Sequence, residues 1–185
     1  VTADPNGANA ATLQFKTPEK LLNGKTINGN MNIHIYTVEK QESEDGDEEN
    51  TKTKDTEIKT LAATAGQALT YKDDKAVNGN NTYKVVAEYN GKMGIDATQT
   101  IWAGFDIPEP VKNLKLRTID GNMHVKLTWE APEKGENDGY FNINDISYTV
   151  WRSLDKKNFS PIANNIKDLT YIDTSIEEEV QDMQE

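Results

Sequence analysis

The chain has no cysteine in 185 residues. That excludes disulfide bridges, thiolate metal centres and cysteine nucleophiles. Histidine is nearly as scarce. His34 and His124 lie far apart, and neither has a second His at metal-ligand spacing, so no zinc pattern is present. Both fall on strand positions opposite the inward-facing set, where exposed structural histidines are expected. Basic residues are outnumbered, 20 against 31 acids, for a formal charge of −11 and a pI near 4.7. Such a balance argues against nucleic-acid backbones and anionic membrane surfaces as partners. No apolar run approaches the roughly 18 residues needed to cross a bilayer, so membrane insertion is not expected. No leader peptide is visible, and the chain is expected to be either cytoplasmic or a processed, exported fragment. There is no Gly-x-Ser-x-Gly elbow, no phosphate-cradling glycine loop and no carboxylate pair placed for acid–base work. Enzymatic activity is therefore not expected.

What is present is alternation. Val125, Leu127 and Trp129 alternate with Lys126, Thr128 and Glu130, the period of a strand buried on one face, and Pro132 closes it. An earlier copy runs through Leu13, Phe15 and Pro18, and both copies continue with Glu-Lys. Strands are expected at 12–16, 31–38, 58–63, 68–73, 82–89 and 97–102, then at 113–118, 123–130, 146–153 and 169–173. Turns rich in Asn and Gly separate them. Residues 41–55 hold no apolar side chain and read as a solvated, mobile acidic loop. Pro108 and Pro110 stiffen a junction in which Trp102, Phe105 and Ile107 are expected to pack between domains.

Leu69-Thr70-Tyr71-Lys72-Asp73 returns 100 residues later as Leu169-Thr170-Tyr171-Ile172-Asp173, whereas Leu13 and Leu127 are 114 apart. The first copy thus carries a longer middle segment, matching the acidic loop. Two domains follow: 1–104, with the acidic loop insertion at 41–55, and 105–185.

An inward Trp129 followed by Pro132, then Tyr148-x-Val150-x-Arg152 on the next strand, resembles the fibronectin type III family. In the first copy Phe15, Ile33 and Ile35 take the Trp, Tyr and Val places, and Tyr83-x-Val85-x-Ala87 is similar to the family's sixth strand with its tyrosine corner. The repeats look like tandem modules of secreted or surface proteins of Bacteroidetes type. The resemblance implies an all-β fold of two tandem immunoglobulin-like antiparallel sandwiches. After Asp173 there is no second Tyr-x-Val-x-Ala strand. The second sandwich is expected to lack its last strands, the acidic 174–185 to open a short helix, and the sequence to be a fragment.

For function, this implies a non-catalytic structural or interaction module of an exported cell-surface protein, extracellular or periplasmic, with a spacer or adhesion role. The alternative is a carbohydrate-binding accessory region of a secreted enzyme. Trp151 and Tyr36 sit on outward phases of equivalent strands and are the candidate aromatics for stacking on a sugar or a protein. The loop at 135–145 partly matches a calcium loop, with Glu136, Asp138, Asn142 and Asp145 at positions three, five, nine and twelve. Lys134 stands at position one, where it cannot ligate, so a turn-rich connection is the better reading. No cofactor is expected apart from that calcium alternative, which would make the chain a calcium-rigidified adhesin. Partners are expected to be flanking domains of the parent chain and an extracellular protein or glycan.

Overall fold

The computed structural model describes residues 1–41 and 52–175. It is all-β and antiparallel, and its described helical residues form short 3-10 turns. The chain divides into two compact units, Val1–Asp106 with Asn137–Tyr140, and Ile107–Glu136 with Phe141–Glu185.

The first unit contains two sheets. One has the order β1 (Thr2–Ala3), β2 (Ala11–Lys16), β5 (Ala68–Asp73). The other runs β4 (Lys52–Thr64), β3 (Asn30–Gln41), β6 (Gly79–Tyr89), β7 (Lys92–Met93), with β8 (Ala97–Ala103) also on β6. Period-two alternation decides the faces: Leu13 on β2, Met31, Ile33 and Ile35 on β3 and Tyr83 on β6 are all buried. Ala11, Leu13, Ile35 and Tyr83 form one cluster, with Phe15, Tyr71, Val85 and Ile101 packed on it. Both sheets therefore contribute to one core. Burial of this kind is worth about 1.5–3 kcal/mol for each large apolar side chain.

The β3–β4 ribbon extends beyond the alternating residues. Val38 pairs with Asp55, Glu39 with Lys54 and Gln41 with Lys52, so both ends of the expected acidic loop are strand. A two-stranded ribbon needs no apolar residue where both faces are solvated, and opposite charges such as Glu39 and Lys54 favour cross-strand pairing. The expected loop at 41–55 is thus corrected at both ends, where Gln41 and 52–55 are strand; the rest of it, 42–51, lies outside the described residues. For the same reason the edge strand foreseen at 58–63 spans 13 residues.

The second unit contains the sheet β13 (Thr170–Asp173), β10 (His124–Glu130), β9 (Lys112–Ile119) and the pair β11 (Tyr148–Arg152), β12 (Ser160–Ile166). Trp129 is buried and meets the Tyr148 ring edge-on, 5.3 Å between centroids; Val150 and Pro132 are buried too. Strand β12 was not foreseen. It contains Pro161 and two asparagines, Asn164 and a left-handed Asn165, which erase its alternation. Proline is tolerated at such a place, since among the described residues β12 pairs on one side only.

The repeat reappears as register. Leu13 faces Tyr71 and Ala11 faces Asp73; Leu127 faces Tyr171 and Val125 faces Asp173. Both offsets, 114 on one strand and 100 on the other, hold residue by residue. Six acids in 42–51 and five in 176–185, two segments outside the described residues, account for all of the −11. The helix expected from Thr174 or Ser175 onward falls mainly in 176–185, outside the described residues.

Candidate interaction surfaces

Each unit holds one buried aspartate at the end of its repeated Leu-Thr-Tyr-x-Asp run. Asp73 accepts a hydrogen bond of 2.8 Å from the Tyr83 hydroxyl, and its other oxygen accepts the Lys75 amide at 2.9 Å. Burial, then this bond and the Asp73 charge, push the Tyr83 hydroxyl far above the usual tyrosine range. Asp173 instead faces Arg152, whose Nη1 donates to it at 3.2 Å, while the Ser175 hydroxyl donates at 2.5 Å and its amide at 3.0 Å. Burial raises the Asp173 pKa, but the Ser175 bonds and the Arg152 charge outweigh it and hold the carboxyl below its ordinary range. The repeat motif flagged both aspartates by position. Tyr83 and Arg152 reach them from other strands and could not be read locally, whereas Lys75 and Ser175 follow two residues on.

On the opposite face of β3, His34 is not the exposed histidine expected. Its Nδ1 lies 2.9 Å from Glu57 on β4 and its Nε2 lies 2.9 Å from Glu88 on β6, and its side chain is largely covered. Cross-strand neighbours put both acids there, since His34 pairs with Thr60, three positions from Glu57, and with Val86, two positions from Glu88. The hydrogen bond to Glu57, then that to Glu88, raises the His34 pKa. Thr60 in turn donates to Glu57. His124 is likewise partly covered and lies 2.9 Å from Asp120. The two ring nitrogens of His34 point to different acids, and among the described residues no group of three or more His, Asp or Glu could hold a metal ion.

Tyr36 follows on β3. Its ring lies under the Lys84 ammonium, 5.1 Å from the centroid, and beside the His34 ring at 6.4 Å. Lys84 is anchored by Asp55. A stacking ligand would have to displace a cation–π contact. Trp151 on β11 is 55% exposed. It stands across from Pro161 and is the more open of the two aromatics.

The calcium candidates belong to a loop organised by hydrogen bonds of its own. Asp106 accepts the Asn137 amide at 2.8 Å, the Asn137 side chain at 3.0 Å and the Gly139 amide at 2.9 Å. Gly139 has no substitute here, because a Cβ would lie 2.4 Å from the Trp102 ring and 2.8 Å from Asp106 Cβ. Asp138 follows with a left-handed φ of 58°. Asn142 caps the turn Ile143–Asp145 by accepting the Asn144 amide, and its side-chain NH2 donates to Asp145 at 2.8 Å. Glu136 gives its amide to the Ile107 carbonyl. Asp138 falls in the first unit, and Glu136, Asn142 and Asp145 fall in the second. Asp106, which orders the loop, was missed from the sequence because it lies 31 residues upstream of Asn137. Nearby, Phe105 meets the Tyr140 ring at 5.7 Å within the first unit and, like Ile107, stays largely exposed.

One end of the first unit carries an apolar depression of about 650 Å³ lined by Leu21, Leu22, Ile27, Met31, Tyr89 and Met93. Leu21, Leu22 and Ile27 come from the loop after β2, Met31 from the start of β3, and Tyr89 and Met93 from the ends of β6 and β7. No family model matches the chain, and no curated protein matches it.

Proposed function

We propose that the chain is a non-catalytic module: two tandem immunoglobulin-like sandwiches of fibronectin type III kind, serving an exported cell-surface protein as spacer and interaction surface. The observation that carries this reading is the doubled register, Leu13 on Tyr71 and Leu127 on Tyr171, joined to the strand orders β1-β2-β5 and β4-β3-β6-β8, which suit a two-sheet sandwich. The side chains best able to do chemistry are engaged in holding strands together: His34 between two glutamates, Asp73 on Tyr83, Asp173 on Arg152. The exported setting rests on the likeness of the repeats to surface modules. The architecture hosts many roles, so the ligand question turns on surfaces.

The exposed Trp151 supports the second reading, a carbohydrate-binding accessory of a secreted enzyme. A glycan array and affinity gel run on the chain and on Trp151→Ala separate the two. The module reading expects no saturable glycan binding by either protein. A measurable affinity that disappears with Trp151→Ala would replace it with the second.

A further inference from the structure

Four large apolar side chains stand open at one end of the first unit. Leu22 is 89% exposed and Ile95 73%, and Met93 and Leu21 are exposed with them. All four line the apolar depression of about 650 Å³. Leucine is an unusual tip residue, because turns ordinarily carry glycine, proline or small polar side chains. Here the turn is firmly built. Lys20 bridges Thr26, the Leu21 amide donates to the Lys25 carbonyl at 2.8 Å, and the Gly24 amide donates to the Leu21 carbonyl at 2.9 Å. Leu22 is thereby held at the tip. The Tyr89 hydroxyl donates to the Asn28 carbonyl at 2.7 Å and ties this loop to β6, whose hairpin with β7 sets Lys92 opposite Tyr89.

Basic side chains surround the opening. Lys20 and Lys92 line it and Lys25 stands on the same turn as Leu22, all three exposed. Residues 16–29 and 89–95 hold four lysines and one acid, Glu19, which accepts the Lys16 ammonium at 2.9 Å. The next acid, Asp96, accepts the Thr98 hydroxyl. The formal −11 argues against an anionic surface only as a whole-chain figure, because the acids of 42–51 and 176–185 equal it. The first of these segments is anchored on the pair Gln41 and Lys52, at the far end of β3, about 33 Å from Met31 by the rise of a strand. Ten residues fixed at both ends reach about half that distance. The patch is therefore beyond the reach of 42–51.

We infer that this end of the first unit docks on an anionic lipid surface. Leu22, Met93 and Ile95 enter the boundary between headgroups and acyl chains, and Lys20, Lys25 and Lys92 meet the headgroups. Apolar tips bind such a surface by burial, and the basic rim adds attraction to its negative charge. The backbone favours lipid over a peptide strand. The Ile27 amide donates to the Glu19 carbonyl at 3.0 Å, the Lys25 amide to the Asn23 side chain at 3.1 Å and the Gly94 amide to the Ala87 carbonyl at 2.8 Å. These donors enter an apolar layer already satisfied and offer nothing for a strand to pair with. The inference goes beyond the spacer reading and rests on the first unit alone, so its failure leaves that reading in place.

The test is co-sedimentation of the intact chain with vesicles of mixed phosphatidylglycerol and phosphatidylcholine, beside vesicles of phosphatidylcholine alone. Saturable binding to the anionic vesicles is expected, weakening as salt is raised. Amide exchange on the vesicles should slow at 20–27 and 89–95. Leu22→Ala should bind about tenfold more weakly, and Lys92→Gln about fivefold, as expected for one charge near the surface. Both side chains are exposed, so thermal melts of the two variants should match that of the unsubstituted chain. A synthetic copy of residues 176–185, Ile-Glu-Glu-Glu-Val-Gln-Asp-Met-Gln-Glu, should not displace the chain from the vesicles. The inference is overturned by no binding, by equal binding to both kinds of vesicle, by protection elsewhere, or by undiminished binding of Leu22→Ala. Displacement by the peptide also overturns it, because the surface would then belong to an acidic polypeptide, the chain's own 176–185 included.

Discussion

In the first unit Ile35 lies between β4 and β6 and is fully buried, at 0% exposure. In the second, Val150 holds the equivalent place beside β12 alone among the described residues and is still buried, yet Leu116 on the other sheet is mostly open. The residues of the two β2-type strands are comparably apolar, and their pairing to the following Tyr-x-Asp strand is the same. What differs is the other sheet among the described residues: β4, β3, β6, β7 and β8 in the first unit, β11 and β12 in the second. Burial, and with it the free energy available from apolar area, therefore depends on closure of the opposite sheet more than on the sequence of the strand itself.

That comparison can be broken most directly in the cores. Leu13→Ala should cost the first unit about 3 kcal/mol, within the range for a well-packed leucine. Leu127→Ala, at the matching register position but only partly buried, should cost the second unit about half as much. Urea unfolding followed through Trp102 for the first unit and through Trp129 and Trp151 for the second measures both. Equal losses would mean that the second core is as closed as the first.

Next come the two aspartates. Tyr83→Phe removes the hydroxyl from buried Asp73 and should cost about 2 kcal/mol, the range for leaving a buried charged acceptor short of a bond. Arg152→Met should cost about 1 kcal/mol, because Ser175 still satisfies Asp173. A larger loss for Arg152→Met would show that the ion pair, and not the serine, holds the second unit's carboxylate.

The pH dependence should run in opposite directions. The His34 pKa is raised in the fold, so its contribution is complete below the unfolded value of about 6.5 and is lost as pH rises through the folded value. The Asp173 pKa is lowered, so its contribution is present above the unfolded value of about 3.9 and is lost as pH falls through the folded value. Thermal melts should show the first unit weakening from mildly acidic to mildly alkaline pH, and the second weakening in acid. His34→Gln should flatten the former trend and Asp173→Asn the latter; a trend that survives its substitution would assign it to other groups.

The smallest effect is expected from calcium. Millimolar calcium, compared with a chelator-treated sample, should leave both melting transitions in place, since the Asn142 side chain already donates to Asp145. A rise in the second transition would restore the calcium-loop alternative.

Much of the framework was legible in the residues. Leu13, Ile33, Ile35, Tyr83 and Trp129 declared their inward phase because a strand turns successive side chains to opposite faces. The echo of Leu69–Asp73 in Leu169–Asp173 announced the register before any pairing was known. Strand β12 stayed hidden, because Pro161 and the asparagines leave no alternation to read. The ribbon beyond Val38 stayed hidden because its cross-strand pairs are polar. The surface features were harder still. His34 meets Glu57 and Glu88 only across neighbouring strands, and Asp106 meets Asn137 only after the chain has returned from another sheet.

The sequence alone therefore determined which residues face inward, where the turns fall and that the plan occurs twice, since these follow from local periodicity and turn chemistry. Tertiary structure alone decided which polar groups meet and which apolar faces are covered. Tyr83 reaches Asp73 and Arg152 reaches Asp173 by bonds between strands, and Leu13 is buried while Leu116 is exposed. Contacts of that kind depend on distance in space, which spacing along the chain does not encode.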